Sequence, residues 1–249
     1  MCGRYAASRD KASLVTEFDA VNVTEQNLAA DYNVAPTKDV YMVADRQATD
    51  DSSTARELGV ARWGLVPSWA KDPGIGARMI NARAETAAEK PAYRRAASRR
   101  RCLIPADGYY EWYLPTDPSA PRGKNGKPRK QPYYIHPVDG SLMAMAGLYE
   151  FWRDPELPKD DPSSWLRTMT IITTAAAPGL DRIHDRMPLC IPQRGWEAWL
   201  NPEQLDGELA IRSVTPEQPD WLKAEAVGTE VNNVRNNGPE LLRPIPMDS

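Results

Sequence analysis

A chain of 249 residues, 41% hydrophobic and 26% charged, suits one globular domain or two small ones and can bury a core without disulfides or structural metal. The formal net charge of −3 argues against a generally basic nucleic-acid coat, although a local patch can still bind phosphate when the total is negative. Three irregularly spaced cysteines (Cys2, Cys102, Cys190) make no disulfide framework, and the chain lacks both a signal-peptide core and an apolar run of about 18 residues. The expected location is therefore a reducing cytoplasm, with no membrane partner.

Along the chain, Ala12, Val15 and Phe18 predict a short amphipathic helix over Lys11–Phe18. Residues 32–36 read as an extended stretch or turn, because the residue before Pro36 avoids the α region. Strands are expected over 40–44 and 60–65, joined by a polar, acidic surface loop over 45–57. Trp69 follows on a proline-punctuated loop, and the alanine-rich stretch 81–101 favours helix, broken or restarted at Pro91. Residues 102–112 are β-rich with a turn at Asp107-Gly108, and 114–131 have a loop composition. Further strands are expected over 133–135, 142–152 and 168–174, separated by a polar loop over 154–164. A helix starts at 195–200 with Trp196 and Trp199 in the core, 206–211 and 219–223 are short helices at best, and the tail from 227 is extended. Strands and helices mix without a βαβ rhythm, which points to the α+β class.

Three constellations carry chemistry. Removal of Met1, which is efficient before a small residue, would leave Cys2 with a thiol and a free α-amine. Such a 1,2-aminothiol condenses with an aldehyde through a Schiff base and closes a thiazolidine ring. The α-amine has an ordinary pKa of about 7.7–8.0, against about 10.4 for lysine, so a useful neutral fraction exists at physiological pH. A small residue buried near a terminus is the bland alternative. In Gly108-Tyr109-Tyr110-Glu111-Trp112 a carboxylate lies among aromatic residues, a setting for general acid–base work or for pairing with an arginine. His184, flanked by Asp185 and Arg186, can shuttle protons or be merely solvated. Two basic clusters can follow a phosphate backbone. The first is Arg94, Arg95, Arg99, Arg100 and Arg101; the second is Arg122, Lys124, Lys127, Arg129 and Lys130, for which a flexible solvated loop is the simpler account.

These segments, in order along nearly the whole chain, resemble one family, the SOS-response-associated peptidases or SRAP domain proteins. The matching stretches are Met1–Tyr5, Tyr32–Pro36, Arg62–Trp69, Asn81–Thr86, Arg101–Trp112, Ala146–Tyr149, Thr173–Ala175, His184–Pro188 and Val231–Pro239. The resemblance implies a single SRAP-like domain over 1–249, with a β-barrel-like central sheet and flanking helices. Segments 45–57, 114–131 and 154–164 would be surface insertions. It implies a monomeric enzyme without metal or cofactor that binds single-stranded DNA, nucleoid-associated in a bacterium. Cys2 would capture the ring-opened sugar of an abasic site as a thiazolidine DNA–protein crosslink that shields the lesion, with lyase-like and cysteine autopeptidase activity. Glu111 and His184 would then handle protons and Asn81 would hold the sugar. Arg4 and Arg83 would contact phosphates, Trp69, Trp112 and Pro36 would support bases or sugar, and Thr174 would add a positioning hydrogen bond. Where some relatives have two consecutive tryptophans, this chain has Trp69-Ala70. Competing readings are an autopeptidase alone, an N-terminal-nucleophile amidotransferase (which also opens Met-Cys-Gly), and a single-strand-binding module that recruits partners.

Overall fold

The structure, a computed structural model, describes residues 2–47, 54–117, 119, 121–123, 126–215 and 221–246. The first half of the chain holds β1 (Tyr5–Ala7), α1 (Lys11–Phe18), β2 (Val21–Asn22), β3 (Asp31–Val34), β4 (Asp39–Gln47), β5 (Thr54–Trp63), β6 (Asn81–Arg83), α2 (Ala84–Ala87), α3 (Arg94–Arg99), β7 (Arg101–Ala106) and β8 (Gly108–Tyr113). The second half holds β9 (Gln131–Pro137), β10 (Met143–Arg153), β11 (Trp165–Ala175), β12 (Arg186–Pro188), α4 (Trp196–Leu200), α5 (Gly207–Val214) and β13 (Leu222–Ala226). This is the α+β class that the chain's composition led us to expect.

Five strands close on themselves in the order β4-β5-β11-β10-β7. The seam is the short parallel pairing of β11 with β5, Thr168 opposite Arg62 and Met169 opposite Trp63. Closure leaves no free edge within the ring. Side chains alternate across each strand, so every ring strand feeds two cores. Met42, Ala61, Trp63, Ile104, Met145 and Ile171 point to one side, into the barrel. Val43, Leu103, Ala146 and Ile172 point to the other, where Leu14, Phe18, Ala97, Trp196, Trp199 and Ile211 from the helices cover them. A second sheet, in the order β13-β9-β8-β1-β3, turns Tyr5, Tyr109 and Ile135 toward the barrel interior. Its opposite face carries Ala6, Tyr110 and Tyr134, covered by Val227, Val231 and Leu241 of the C-terminal segment.

Helix α1 has the expected bounds: the Asp10 side chain caps it by accepting from the Ser13 N–H at 2.8 Å, and Asp19 ends it in the left-handed region. Other expectations are corrected. The loop expected over 45–57 is in part a hairpin, with Asp45 opposite Arg56 and Gln47 opposite Thr54; its remaining residues, 48–53, lie outside the described ones. The helix expected over 81–101 is interrupted: Asn81–Arg83 join β11 as a parallel strand, and only Ala84–Ala87 and Arg94–Arg99 are helical, separated by the turns around Pro91. Within the stretch expected as short helix at 219–223, Leu222 and Lys223 belong to β13, paired with β9. The tail is not extended throughout, since Thr229–Asn232 and Pro239–Leu242 are single 3-10 turns. Residues 154–164 form turns ending in a short 3-10 segment, Pro162–Ser164.

The exit from β5 depends on Gly64, whose φ is +124°. An added Cβ there would lie 2.5 Å from the Gly76 carbonyl oxygen. We expect Gly64→Ala to lower stability by about 1–3 kcal/mol through backbone strain and the clash. Urea denaturation measures it, and an unchanged midpoint would mean that this loop is not fixed by the contact.

Candidate active site and nucleic-acid interface

Cys2 precedes β1 and is fully buried among the barrel's interior residues. Its carbonyl accepts a 2.7 Å hydrogen bond from Nδ2 of Asn81, the first residue of β6. The Asn81 Oδ1 is buried and has no hydrogen-bond partner among the described residues. The Cys2 thiol donates a long 3.9 Å bond to the Arg4 carbonyl. Glu111, 4% exposed on β8, alternates with Tyr110 and Trp112 and so shares the inward face with Tyr109. Burial, and then the Glu111 carboxylate, push the Cys2 thiol well above its ordinary range, so the buried sulfur is a neutral S–H. The structure therefore brings Cys2, Asn81 and Glu111 to one interior position.

His184 lies just before β12. Its Nδ1 accepts from the Arg186 backbone N–H at 3.0 Å and is 2.8 Å from Asp185 Oδ1. One nitrogen cannot satisfy both at once: the neutral ring takes the N–H, and the cation donates to Asp185. The ring thus has a partner ready in each protonation state. Ile183 and Leu180, from the same loop, pack into the cluster that holds Cys2. Arg186 does not pair with Asp185. It forms a two-pronged bond with Glu85, 2.6 and 2.8 Å, and donates to the Thr173 carbonyl, joining α2 to β11 and β12. Arg186 holds the Glu85 carboxyl below its usual 4.5. A depressed carboxyl contributes stability above its unfolded pKa and loses it as pH falls through the folded value. The clamp's contribution is therefore present above the ordinary carboxylate range and fades as pH falls below it.

The DNA-contact candidates divide. Arg4 and Trp112 fall on the outer face of the second sheet, opposite Glu111, with the Arg4 guanidinium 5.9 Å from the Trp112 ring centre. Arg4 also donates to Asn33 Oδ1 at 2.7 Å and to the Val231 carbonyl at 3.0 Å, and Trp112 Nε1 donates to Asn232 Oδ1 at 2.6 Å. Pro36 opens a turn whose next residue, Thr37, has φ +74°, the signature of a type II turn. Trp69 is 62% exposed, although its loop is held by Trp152 Nε1 donating to the Ala70 carbonyl at 2.7 Å. An indole kept in water on an anchored loop suits stacking. Arg83, exposed, shares the face of β6 that carries Asn81, while Ala82 points into the other core. Thr174 is not brought to this group, since it lines a separate cleft with Glu85, Glu89, Glu208 and Arg212. The first basic cluster is also dispersed: Arg101 is buried and donates to the Trp199 and Ala97 carbonyls, and Arg100 pairs with Glu150.

The roles of three residues were not legible in the sequence. Asn33 is fully buried and, besides receiving Arg4, donates to the carbonyls of Val231, Asn233 and Asn236, pinning the C-terminal segment to β3. Its place before Val34-Ala35-Pro36 carried no chemical signal. Arg186 is the clamp beside His184, and Cys190 is a second buried thiol close enough to raise that of Cys2. A cavity of about 380 Å³ is lined by Tyr5, Leu28, Asp31, Lys38 and Tyr41, and not by Cys2, Asn81 or Glu111. Among the described residues no helix is long and apolar enough to cross a membrane.

The model of the SOS response associated peptidase (SRAP) family matches residues 1–234. The abasic site processing protein YoqW of Bacillus subtilis is 38% identical over 243 residues, covering 97% of this chain and 99% of that protein. The abasic site processing protein HMCES of Xenopus tropicalis is 30% identical over 240 residues, 86% of this chain and 66% of that one. A crystal structure of a Bacteroides thetaiotaomicron protein superposes with a TM-score of 0.77 at 24% identity, covering 98% of this chain and all of that one, a likeness of fold alone. With the whole length spanned by such relatives and the interior Cys2–Asn81–Glu111 group built on the matched segments, the chain belongs to the SOS response associated peptidase family.

Proposed function

We propose that this protein processes abasic sites in single-stranded DNA by joining Cys2 to the open-chain sugar as a thiazolidine. The observation that carries the proposal is the setting of Cys2. Asn81 grips its carbonyl and keeps a second polar atom, Oδ1, buried and unused beside it, where a sugar hydroxyl or the freed α-ammonium can donate. After Met1 is released, the α-amine attacks the C1′ aldehyde and the carbinolamine loses water. The thiol then adds to the resulting imine carbon, its proton passing to nitrogen, so the net product of ring closure is one water. Because the thiol stays neutral in its buried site, its proton must leave as sulfur bonds to carbon, and the Glu111 carboxylate is the group placed to relay it. His184, with a partner for either protonation state, serves the opening of the sugar ring. Burial also shields the closed ring from water. Arg83 and the exposed Trp69 hold the strand through phosphate and base, with no demand on sequence. Release of Met1, by water splitting the Met1–Cys2 peptide bond at the same carboxylate, fits the peptidase in the family's description; the mass of purified Glu111→Gln protein checks it.

The test is a denaturing gel of protein mixed with abasic or intact single-stranded oligonucleotides. A shifted band is expected only with the abasic strand and is expected to vanish in Cys2→Ala. A band that survives Cys2→Ala sinks the thiazolidine assignment and points to another nucleophile; a lysine imine would show only after borohydride reduction. Equal, purely non-covalent binding of both strands supports the alternative of a recruitment module.

A further inference from the structure

In the basic segment between β8 and β9, the described residues 121–123 and 126–130 are tied to one another. Arg122 bridges to Pro128, the Arg129 N–H donates to the Pro121 carbonyl at 2.7 Å, and the Gly123 N–H donates to the Lys127 carbonyl at 2.9 Å. These bonds make a small antiparallel hairpin. Residues 114–131 carry five cations and one acid, Asp117, in a chain whose net charge is −3. Arg122, Lys127, Arg129 and Lys130 are all exposed on this arm.

The arm is fixed in place by a contact outside itself. Arg129 donates to Thr229 Oγ1 at 3.0 Å, on the 3-10 turn Thr229–Asn232. That same turn receives Arg4 at the Val231 carbonyl and Trp112 at Asn232 Oδ1. At about 2 Å of rise per residue, these three attachments lie within roughly 6 Å along the turn. Arg235 is exposed just beyond it, and Glu230 is the one carboxylate on the turn itself. One short turn thus aligns Arg4, Trp112 and the arm.

We propose that this arm is a phosphate clamp that grips the DNA strand flanking the lesion, on the side of the molecule where the Thr229–Asn232 turn holds Arg4 and Trp112. The inference rests on the reading of this protein as a single-strand DNA enzyme. The arm supplies a row of cations, so it adds affinity and salt dependence and leaves the Cys2 chemistry alone.

The test measures non-covalent binding of a single-stranded 20-mer carrying a tetrahydrofuran abasic analogue, which has no aldehyde and cannot crosslink. The variant is R122A/K127A/K130A, with Arg129 kept as the anchor. Each phosphate contact on a single strand contributes about 0.7 to the slope of log K against log salt, so three lost contacts reduce the slope by about 2. Affinity at 0.1 M salt should fall roughly 10- to 100-fold by the same relation. Thr229→Val, which frees the arm from the turn, should give a smaller loss in the same direction. An unchanged slope and affinity in the triple variant overturn the clamp. The crosslinking yield of both proteins on a true abasic pentamer, with few flanking phosphates, is read in parallel. Equal yields with a reduced slope on the 20-mer support the clamp, whereas a pentamer yield lowered by the variant overturns it as a separate, non-catalytic element. Absence of crosslinking in the unaltered protein overturns the proposed function, while the slope still decides whether the arm grips DNA.

Discussion

Protein that keeps Met1 is expected to form no crosslink with abasic DNA, although its Cys2 thiol is intact. The reasoning separates the two nucleophiles on one residue. With Met1 attached, the Cys2 nitrogen is an amide, its lone pair delocalised into the carbonyl, and it cannot add to an aldehyde. The thiol alone gives at best a hemithioacetal, which reverts on denaturation. Burial and the Glu111 charge also hold that thiol neutral, so it is a poor first nucleophile. The free α-amine, at about 7.7–8.0 in its ordinary state, is the group that can start the reaction near neutral pH. Protein bearing an uncleaved N-terminal extension should therefore fall to background on a denaturing gel. Cys2→Ser with a free amine should differ: its imine forms, hydrolyses on denaturation, and survives only if reduced with borohydride beforehand. A full-strength crosslink from the extended protein would show that the amine is dispensable and would end the thiazolidine proposal.

The sequence made two members of the interior group legible because each is chemically odd for its surroundings. A cysteine at the second position and a glutamate among aromatics are candidates without coordinates, each with a bland alternative, whereas Asn81 is named only by the resemblance to the family. What stayed hidden was the face on which each side chain falls. Glu111 and Trp112 are neighbours in sequence, yet strand alternation sends one toward Cys2 and the other to the outer face beside Arg4. The place of Thr174 was hidden for a similar reason, since nothing in Thr-Thr-Ala fixes which cleft the end of β11 lines. The β4–β5 hairpin was concealed because an exposed two-stranded ribbon carries polar residues on both faces and loses the apolar alternation that marks a strand. Strand β6 was masked by helix-favouring alanines; pairing with β11 overrides that weak propensity. The folded basic arm is a further case, because its order comes from Thr229, about 100 residues away in sequence.

Replacing Glu111 with Gln is expected to slow crosslink formation by about 10²- to 10⁴-fold at neutral pH, the usual worth of a positioned proton carrier. The substitution keeps the shape of the side chain within the barrel but removes both its charge and its capacity to accept a proton. Those two losses act in opposite directions, which makes the variant informative. The carboxylate is one cause of the raised Cys2 pKa, so removing its charge makes the thiolate easier to form. Were electrostatic restraint of the thiol its only role, Glu111→Gln would speed ring closure. Were it a proton relay, closure would slow sharply even though the sulfur had become more acidic. Single-turnover rates with a saturating abasic oligonucleotide decide between them, using protein whose free Cys2 amine is generated by protease cleavage of an N-terminal tag and verified by mass. Non-covalent affinity for the tetrahydrofuran strand should stay within about threefold, since Glu111 faces the barrel and Arg4 and Trp112 face away from it. A rate equal to or above that of the unaltered protein would remove Glu111 from the proton path and leave His184, with its two ready partners, as the remaining carrier.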